Sequence, residues 1–589
     1  MTFFRSLIAS FLGTLVALGV VFFLFLMFLL ALGSAGGSTE VVSSNSVLKL
    51  NFSYAVPEQS KFGLPENINP LAFEFNNEIG LNEIRRVIRE AKEDKKIEGI
   101  LLDLESNPNS FSVLSVIREE LEDFKSEGKF VVGYGQFMSQ RALYLGSAAD
   151  EVYLHPTGFL DLKGFNAELS FYKNALDKLG VQMQVFYDGK FKSATEPYRL
   201  AQMSDENRLQ LREFLDEAWD QYKETVAEGR GISKQELQRA ADELDGLQPQ
   251  LILNSGLVDG LLHEDELQDL LCEKLSIDPD SDISYVSLQT YKDNLSSGKL
   301  SKKQKDNKVA VIYAEGTIVD GSADGGIGGD DLSALLREAR KDDDVKAVVL
   351  RVNSPGGSAP ASDVIWREAS LLAEKKTLVV SMGSLAASGG YYISAPADHV
   401  YAQANTLTGS IGVFMMLPNT QGLMNDKLGI THDTVKTGAL ADFPSIVRPV
   451  SEPQRVALQA AVDSTYSDFL NIVAEGRDMP RSEVEEVAQG RIWMGTQALQ
   501  NGLVDELGGL DDAIEKAVEL ARLGESYGVV EWPVQEPDPL DELIGSFMAT
   551  AQARQLETEL GPYYEHLKLL QEVTEIKGIQ ARMPYNLNY

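Results

Sequence analysis

The strongest constraint on how this chain folds is an internal repeat. At an offset of 248 residues, Arg89-Glu-Ala91 aligns with Arg337-Glu-Ala339. Further along the offset drifts to 246, and Gly256-Leu-Val-Asp259 aligns with Gly502-Leu-Val-Asp505. A repeat of this length has the size of a whole domain rather than of a short solenoid unit. We therefore predict two homologous domains joined in tandem.

Each copy alternates short aliphatic runs with amphipathic stretches. Residues 99–104 and 347–352 are typical of buried strands, as are residues 130–133 and 378–381, whereas residues 331–341 have the apolar period of a helix. Strands that alternate with helices in units of roughly 25–40 residues favour layered α/β domains with largely parallel sheets. The predicted fold class is therefore α/β, repeated twice.

Composition shifts divide the chain into segments. A Ser/Lys-rich stretch without an apolar period separates the copies, and a proline-rich stretch at 532–539 follows the second. Beyond it, residues 543–576 have a helical pattern, which suggests an arm that packs on another subunit. The predicted segments are an N-terminal stub and anchor at 1–46, a first repeat at 47–300, a linker at 301–307, a second repeat at 308–530 and a C-terminal arm at 531–589.

The N-terminal segment is apolar enough to cross a membrane. Residues 11–32 are almost wholly apolar, and no charge occurs between Arg5 and Glu40. This exceeds the ~20 residues that span a bilayer, and the positive charge before it places the rest of the chain outside the cytoplasm. A cleaved signal peptide is the alternative, although its apolar region usually runs only ~7–15 residues. We predict a single uncleaved transmembrane helix.

Charge and cysteine content exclude several functions. The formal net charge of −35 opposes binding to phosphate backbones, so we predict no nucleic-acid partner. Cys272 is the only cysteine, which excludes an internal disulfide and a thiolate metal cluster. No His/Cys/Asp cluster has the spacing of a metal site. The sequence therefore predicts neither a metal nor a cofactor.

A serine in a glycine-rich turn is the first candidate for chemistry. In the second copy a predicted strand runs into Ser388-Gly-Gly390, before an apparent helix from Tyr391. Small neighbours let a substrate backbone approach, and the free N–H groups of a helix N-terminus favour an oxyanion. The alternative for Ser388 is a simple helix cap, since serine is a preferred residue there.

Comparison of the two copies favours the catalytic interpretation. The first copy has Gln140 in place of Ser388, and therefore lacks the nucleophile. Conversely, Lys192 of the first copy aligns with Gly438 of the second. A serine present only in one half and a lysine present only in the other suggest one composite site between the domains.

A nucleophilic serine needs a base, and the sequence offers two kinds. His399 and His432 could complete a Ser-His-Asp triad, but no carboxylate pattern that would orient either ring is recognisable. Lysine can act instead if burial lowers its pKa from ~10.4 towards neutrality. Lys192 is the candidate.

The motifs around these residues resemble the long, two-repeat form of the signal peptide peptidase A family, also called protease IV. The resemblance extends from the N-terminal anchor to about residue 530. Its most specific motifs are Phe191-Lys-Ser-Ala-Thr-Glu-Pro197, Arg351-Val-Asn-Ser-Pro-Gly-Gly-Ser358, Ala386-Ala-Ser-Gly-Gly-Tyr391 and Thr408-Gly-Ser-Ile-Gly-Val413.

The resemblance implies a role for each matching residue. Ser388 would be the nucleophile, Lys192 the general base, and Ser410 the residue that orients the lysine. The oxyanion hole would use the N–H groups of Gly389 and Gly357. The sequence alone does not show whether Gly356 or Gly357 faces inward.

The resemblance also implies a function and a setting. It predicts a membrane-anchored serine endopeptidase of the bacterial inner membrane with its catalytic domains in the periplasm. Each repeat would have a crotonase/Clp-protease-like fold, and four chains would form a homotetramer. The expected substrates are hydrophobic signal peptides left in the membrane after preprotein cleavage. Two other functions stay open at this stage: a catalytically inactive membrane-anchored scaffold, and a crotonase-like acyl hydrolase.

Overall fold

The structure is a computed structural model of the 589-residue chain. It describes residues 13–14, 16–21, 23, 42–60, 78–279, 281–298, 307–323, 325–524, 526–533 and 578–583. Most of the predicted anchor, residues 301–306 of the predicted linker and the predicted helix at 543–576 lie outside these residues. Among the described residues, no helix combines the length and the hydropathy needed to cross a bilayer.

The described residues form twenty strands and seventeen α-helices. The strands are β1 (Ser46–Asn51), β2 (Ile97–Asp103), β3 (Phe130–Ser139), β4 (Glu151–Asp161), β5 (Gln182–Asp188), β6 (Gly260–Leu261), β7 (Ser284–Ser287), β8 (Lys308–Glu315), β9 (Ile318–Val319), β10 (Ile327–Gly328), β11 (Val345–Ser354), β12 (Gly356–Ser358), β13 (Thr377–Ala387), β14 (His399–Ala402), β15 (Leu407–Gly409), β16 (Val413–Asn419), β17 (Ile492–Met494), β18 (Glu506–Leu507), β19 (Gly528–Trp532) and β20 (Gln580–Arg582).

The helices fall between these strands. They are α1 (Leu81–Glu93), α2 (Phe111–Lys125), α3 (Gln140–Gly146), α4 (Lys173–Leu179), α5 (Glu196–Arg199), α6 (Asp205–Arg230), α7 (Lys234–Asp242), α8 (Pro249–Asn254), α9 (Glu264–Leu275), α10 (Leu288–Gly298), α11 (Gly329–Lys341), α12 (Ala359–Ala373), α13 (Gly389–Ser394), α14 (Glu452–Gly476), α15 (Arg481–Val487), α16 (Gly495–Gln500) and α17 (Leu510–Leu520).

Two sheets with corresponding central strands reproduce the sequence repeat. The first has the order β6-β4-β3-β2-β1-β7 and is parallel throughout. The second has the order β17-β15-β13-β11-β8-β19, with β14 paired to β13, and only the β15–β17 pair is antiparallel. The prediction of parallel α/β sheets is confirmed.

Burial on both faces explains the aliphatic runs. Strands β2 and β11 are buried along nearly their whole length, because helices and neighbouring elements cover both sides of a parallel sheet. Amphipathic α1 and α11 bury one stripe each, for example Ile84 and Leu336, which are fully buried. Each repeat thus has its own large core.

A third sheet joins the two repeats. Its order is β10-β9-β12-β20-β16-β5, so it combines β5 of the first repeat, three short strands and β16 of the second, and β20 from the C-terminal arm. Strand β5 pairs antiparallel with β16 over seven residues. This pairing brings the segment after β5, which carries Lys192, against the second repeat.

Candidate active site

The residue at the nucleophile position sits in a strained turn. Ser388 follows β13 directly and has φ +56° and ψ −112°, a backbone conformation that non-glycine residues seldom adopt. Its N–H donates to Gly409 O (2.8 Å), and its own carbonyl accepts from Tyr392 N (2.8 Å) in α13. These bonds hold the side chain at the junction between strand and helix, so Ser388 is more than a capping residue.

Lys192 reaches this serine from the other repeat. Its Nζ lies 2.8 Å from Ser388 Oγ, 2.9 Å from Ser410 O and 3.1 Å from Ser410 Oγ. The side chain is fully buried, and this desolvation lowers the lysine pKa well below its ordinary value of 10.5. A neutral amine can donate its hydrogens to Ser410 and present its lone pair to the Ser388 hydroxyl.

Ser410 is held by the loop beyond β15. It has φ +52°, and its N–H donates to Arg491 O at 2.6 Å. The structure thus places Ser388 and Ser410 within hydrogen-bonding distance of Lys192 Nζ. The equivalent of Ser410 in the first repeat, Leu162, is buried in the apolar core.

Neither histidine lies next to Ser388 as a candidate base. His399 Nε2 lies 3.1 Å from a carboxylate oxygen of Glu506, and His432 is exposed. His399 begins strand β14. The group against Ser388 Oγ is the lysine amine.

The glycine turn after β11 contains Gly356 and Gly357, the two candidates for one N–H group of the oxyanion hole. Gly356 has φ +88°, and its N–H donates to Ser354 Oγ at 3.1 Å. Gly357 lies in β12, and its neighbour in the antiparallel ladder is Ala581 of β20. A Cβ on Gly356 would lie 2.5 Å from Gly389 N, so the backbone of this turn approaches the residue after the serine closely. The Gly356 N–H is therefore used within its own turn, which leaves those of Gly357 and Gly389 as the candidates to bind an oxyanion.

Several supporting residues were missed by the sequence analysis. Gln210 of α6 is buried, and its Nε2 donates to Phe191 O (3.1 Å) and Ser193 Oγ (3.0 Å) on either side of Lys192. Gly490 has φ +76°, and a Cβ there would lie 2.6 Å from Lys192 Cβ. A polar residue on the apolar face of a helix could have drawn attention to Gln210, but the approach of Gly490 depends on tertiary structure alone.

In the first repeat, Gln140 occupies the position that corresponds to Ser388. Gln140 Oε1 accepts hydrogen bonds from Lys163 N (2.7 Å) and Gly164 N (2.8 Å), and Tyr222 Oη donates to Gln140 O (3.1 Å). The rings of Tyr144 and Phe165 in turn pack against the ring of Tyr222. At the position of the nucleophile, the first repeat thus has a glutamine whose side-chain amide is hydrogen-bonded to the backbone.

The described residues contain no group of three or more His, Cys, Asp or Glu side chains that could hold a metal ion. The site consists of hydroxyl, amine and backbone groups.

Comparison with known proteins identifies the family of the chain. The model of peptidase family S49 matches the chain twice, at residues 123–278 and 370–524. The chain belongs to peptidase family S49. Because the two matches fall on the two copies, the S49 domain is present twice, and the chain is a serine protease.

Relatives cover most of this S49 protease. Protease 4 of Haemophilus influenzae is 34% identical, over 96% of this chain and 95% of the relative. Protease 4 of Salmonella typhi is 37% identical over 81% of this chain and 77% of the relative. The chloroplastic serine protease SPPA of Arabidopsis thaliana is 30% identical over 86% and 75%. The resemblance to the signal peptide peptidase A family is therefore confirmed.

Proposed function

We propose that this S49 protease is an endopeptidase with a Ser388/Lys192 dyad shared between its two repeats. The observation that supports this most directly is the 2.8 Å separation of Lys192 Nζ and Ser388 Oγ, with both side chains fully buried. An amine without a carboxylate at this position has the lowered pKa that a general base needs near neutral pH.

The dyad would act in two steps. Neutral Lys192 takes the proton of Ser388 Oγ as that oxygen attacks a peptide carbonyl, and the N–H groups of Gly357 and Gly389 stabilise the oxyanion. The ammonium then gives its proton to the leaving amine, and an acyl-enzyme remains on Ser388. Lys192, again neutral, activates a water that hydrolyses the ester. Ser410 holds the amine throughout through its hydroxyl and carbonyl oxygens.

The substrates would be hydrophobic signal peptides left in the bacterial inner membrane. This proposal is supported by the apolar segment at residues 11–32 and by the relatives named Protease 4. The catalytic repeats would lie in the periplasm behind a single-pass anchor. Each would have a crotonase/Clp-protease-like form, and the chain would assemble as a homotetramer with no nucleic-acid partner.

The dyad is tested with a fluorogenic apolar peptide. We expect Ser388→Ala and Lys192→Ala each to lower kcat/KM by at least ~10³ while the melting temperature stays that of a folded protein. The matched control is Lys190→Ala, which removes an exposed lysine two residues away and should keep full activity. A folded Lys192→Ala variant with full activity would reject the dyad and make a histidine base the better explanation.

Substrate choice is tested separately in detergent micelles. A synthetic signal peptide and an acyl-thioester are compared with a folded soluble protein as substrates for the wild type. Cleavage of the signal peptide alone is expected. Turnover of the thioester alone would favour the acyl hydrolase, and a folded wild type without activity towards any of them would favour the scaffold.

A further inference from the structure

Three consecutive residues before β17, the 489–491 turn, contact both segments that surround the lysine amine. The carbonyl of Gln489 accepts a hydrogen bond from Phe191 N (2.8 Å), the residue before the proposed base. The carbonyl of Arg491 accepts one from Ser410 N (2.6 Å). One short turn of the second repeat thus bonds the lysine segment of the first repeat and the serine that holds the amine.

The backbone of the 489–491 turn is strained and closely packed. Gln489 has φ +56° and Gly490 has φ +76°, and the left-handed region is uncommon for a residue such as glutamine. A Cβ on Gly490 would lie 2.6 Å from Lys192 Cβ, so the turn packs directly against the base. Strain of this kind persists only where surrounding contacts hold it, and it is concentrated at functional sites. The side chain of Arg491 supplies such contacts.

Arg491 contacts elements of both repeats. Its guanidinium carbon lies 5.1 Å from the centroid of the Phe191 ring and 4.1 Å from that of the Trp493 ring. The attraction between a cation and the face of an aromatic ring favours this arrangement. The guanidinium also forms an ion pair with Glu213 of helix α6. Arg491 thus links Phe191, the long helix of the first repeat and strand β17 of the second.

The position of the lysine amine depends on the segments that these contacts hold. The partners of Lys192 Nζ are hydroxyl and carbonyl oxygens, and such hydrogen bonds are weaker than those of an ion pair. The amine is therefore placed by the backbone on either side of it, at Lys192 and at Ser410. Arg491 holds both segments, since its carbonyl bonds Ser410 and its guanidinium lies over Phe191.

We propose that Arg491 is a positioning residue for the proposed reaction, which keeps the Lys192 amine within hydrogen-bonding distance of Ser388 Oγ. It does so by fixing Phe191 and Ser410, the neighbours of that amine, relative to each other. This inference rests on the proposed dyad. Because Arg491 acts through neighbours of the base, its loss should slow the chemical step and leave substrate binding nearly unchanged.

Steady-state kinetics with a fluorogenic apolar peptide test the inference. We expect Arg491→Ala to lower kcat about ten- to a hundredfold with KM nearly unchanged, because a displacement of ~1 Å at a reacting group can cost ~10²-fold in rate. The matched control is Arg212→Ala. Arg212 lies on α6 beside Glu213, its side chain is 74% exposed, and it pairs with Asp216. This control should keep the kcat and KM of the wild type.

Two further variants separate the contacts of Arg491. Arg491→Lys keeps a charge that can pair with Glu213 but lacks the planar group that stacks on aromatic rings, so its kcat should lie between those of Arg491→Ala and the wild type. Glu213→Gln should lower kcat with Arg491 in place, and its addition to Arg491→Ala should cost little more, since both changes remove one interaction. These two variants decide the question if Arg491→Ala does not fold.

The pH profile distinguishes positioning from stability. If the 489–491 turn loosens in Arg491→Ala, water reaches Lys192 and its pKa returns towards the ordinary value of 10.5. The rise of kcat/KM should then move to higher pH in Arg491→Ala, by a smaller amount in Arg491→Lys, and not in Arg212→Ala. A lower melting temperature of Arg491→Ala with the kcat, KM and pH profile of Arg212→Ala would overturn the inference, because it indicates a purely structural arginine.

Labelling of Ser388 by a fluorophosphonate separates this inference from the dyad. Labelling of Lys192→Ala at the wild-type rate would reject the dyad and, with it, the role of Arg491. Loss of labelling in Lys192→Ala, together with wild-type labelling rates in Arg491→Ala at every pH, would reject only the role of Arg491. Slow labelling in both variants is the expected result.

Discussion

At the scale of single residues, the site depends on a buried amine that has no carboxylate partner among the residues the structure describes. The polar contacts of Lys192 Nζ are hydroxyl and carbonyl oxygens of Ser388 and Ser410, and desolvation is the cause of its lowered pKa. Hydroxyl and carbonyl oxygens stabilise an ammonium less than an ion pair does, so the free amine is favoured. This is how one lysine can replace a histidine as the base.

The pH dependence of hydrolysis follows from that pKa. The active form is the free amine, so kcat/KM should rise with pH through the pKa of Lys192 and reach its plateau well below pH 10.5. The measurement is kcat/KM from pH 5 to 10 for the wild type and Lys190→Ala, which should share one curve. If kcat/KM instead rose only through the ordinary lysine pKa, Lys192 would be solvated in the active enzyme.

The same burial should make Lys192 destabilise the folded state. Below pH 10.5 Lys192 is protonated in the unfolded chain, whereas burial disfavours its protonation in the folded chain. The contribution of Lys192 to the free energy of unfolding therefore falls as the pH drops below 10.5. We expect Lys192→Met to raise the free energy of unfolding at pH 7, with a gain that shrinks as pH approaches 10.5. Urea unfolding at both pH values measures this, and equal stability of the two chains at pH 7 would contradict it.

At the scale of elements, a long helix positions the base. Helix α6 carries Gln210, which bonds both sides of the Lys192 turn and whose Oε1 also accepts from Ile492 N (3.4 Å) of β17. The helix begins with an N-cap, since Ser204 Oγ accepts from Asn207 N (3.1 Å). This network ties the lysine of one repeat to a strand of the other.

Loss of Gln210 should therefore affect catalysis more than folding. We expect Gln210→Ala to lower kcat about tenfold with KM nearly unchanged, because the Lys192 amine loses its fixed position. The pH at which kcat/KM rises should shift as well. Gln235→Ala, an exposed glutamine on α7, serves as the control. A drop in melting temperature without any change in kcat or in the pH profile would show that Gln210 only stabilises the helix.

At the scale of the whole molecule, the two repeats are joined by more than the active site. Glu58 of the first repeat forms a bidentate pair with Arg351 of β11, at 2.9 and 3.1 Å, and both side chains are buried. Arg351 also donates to Ser381 Oγ and Met382 O. The pair fixes the first repeat against the central strands that lead to Ser388.

Removing one partner of this pair should be strongly destabilising. Glu58→Ala leaves the Arg351 charge buried, which we expect to lower the free energy of unfolding by about 3–5 kcal/mol. Asp161→Ala removes an exposed partner of Lys163 and should cost no more than ~1 kcal/mol. Urea titration compares the two variants, and similar losses for both would mean that the interface between repeats does not exclude water.

The sequence by itself determined the duplication and the parallel α/β sheets, and it singled out Ser388 and Lys192 as candidates for the site. Those conclusions depend on local patterns: apolar period, small residues around a serine, and the loss of Ser388 or Lys192 in one copy. Tertiary structure alone decided that the lysine reaches the serine, that the Gly356 N–H is bonded within its own turn, and that Gln210 and Gly490 support the lysine. It also decided that Ala581 lies beside the glycine turn. Each of these is a contact between distant parts of the chain, and such contacts depend on strand register and packing, which no local pattern encodes.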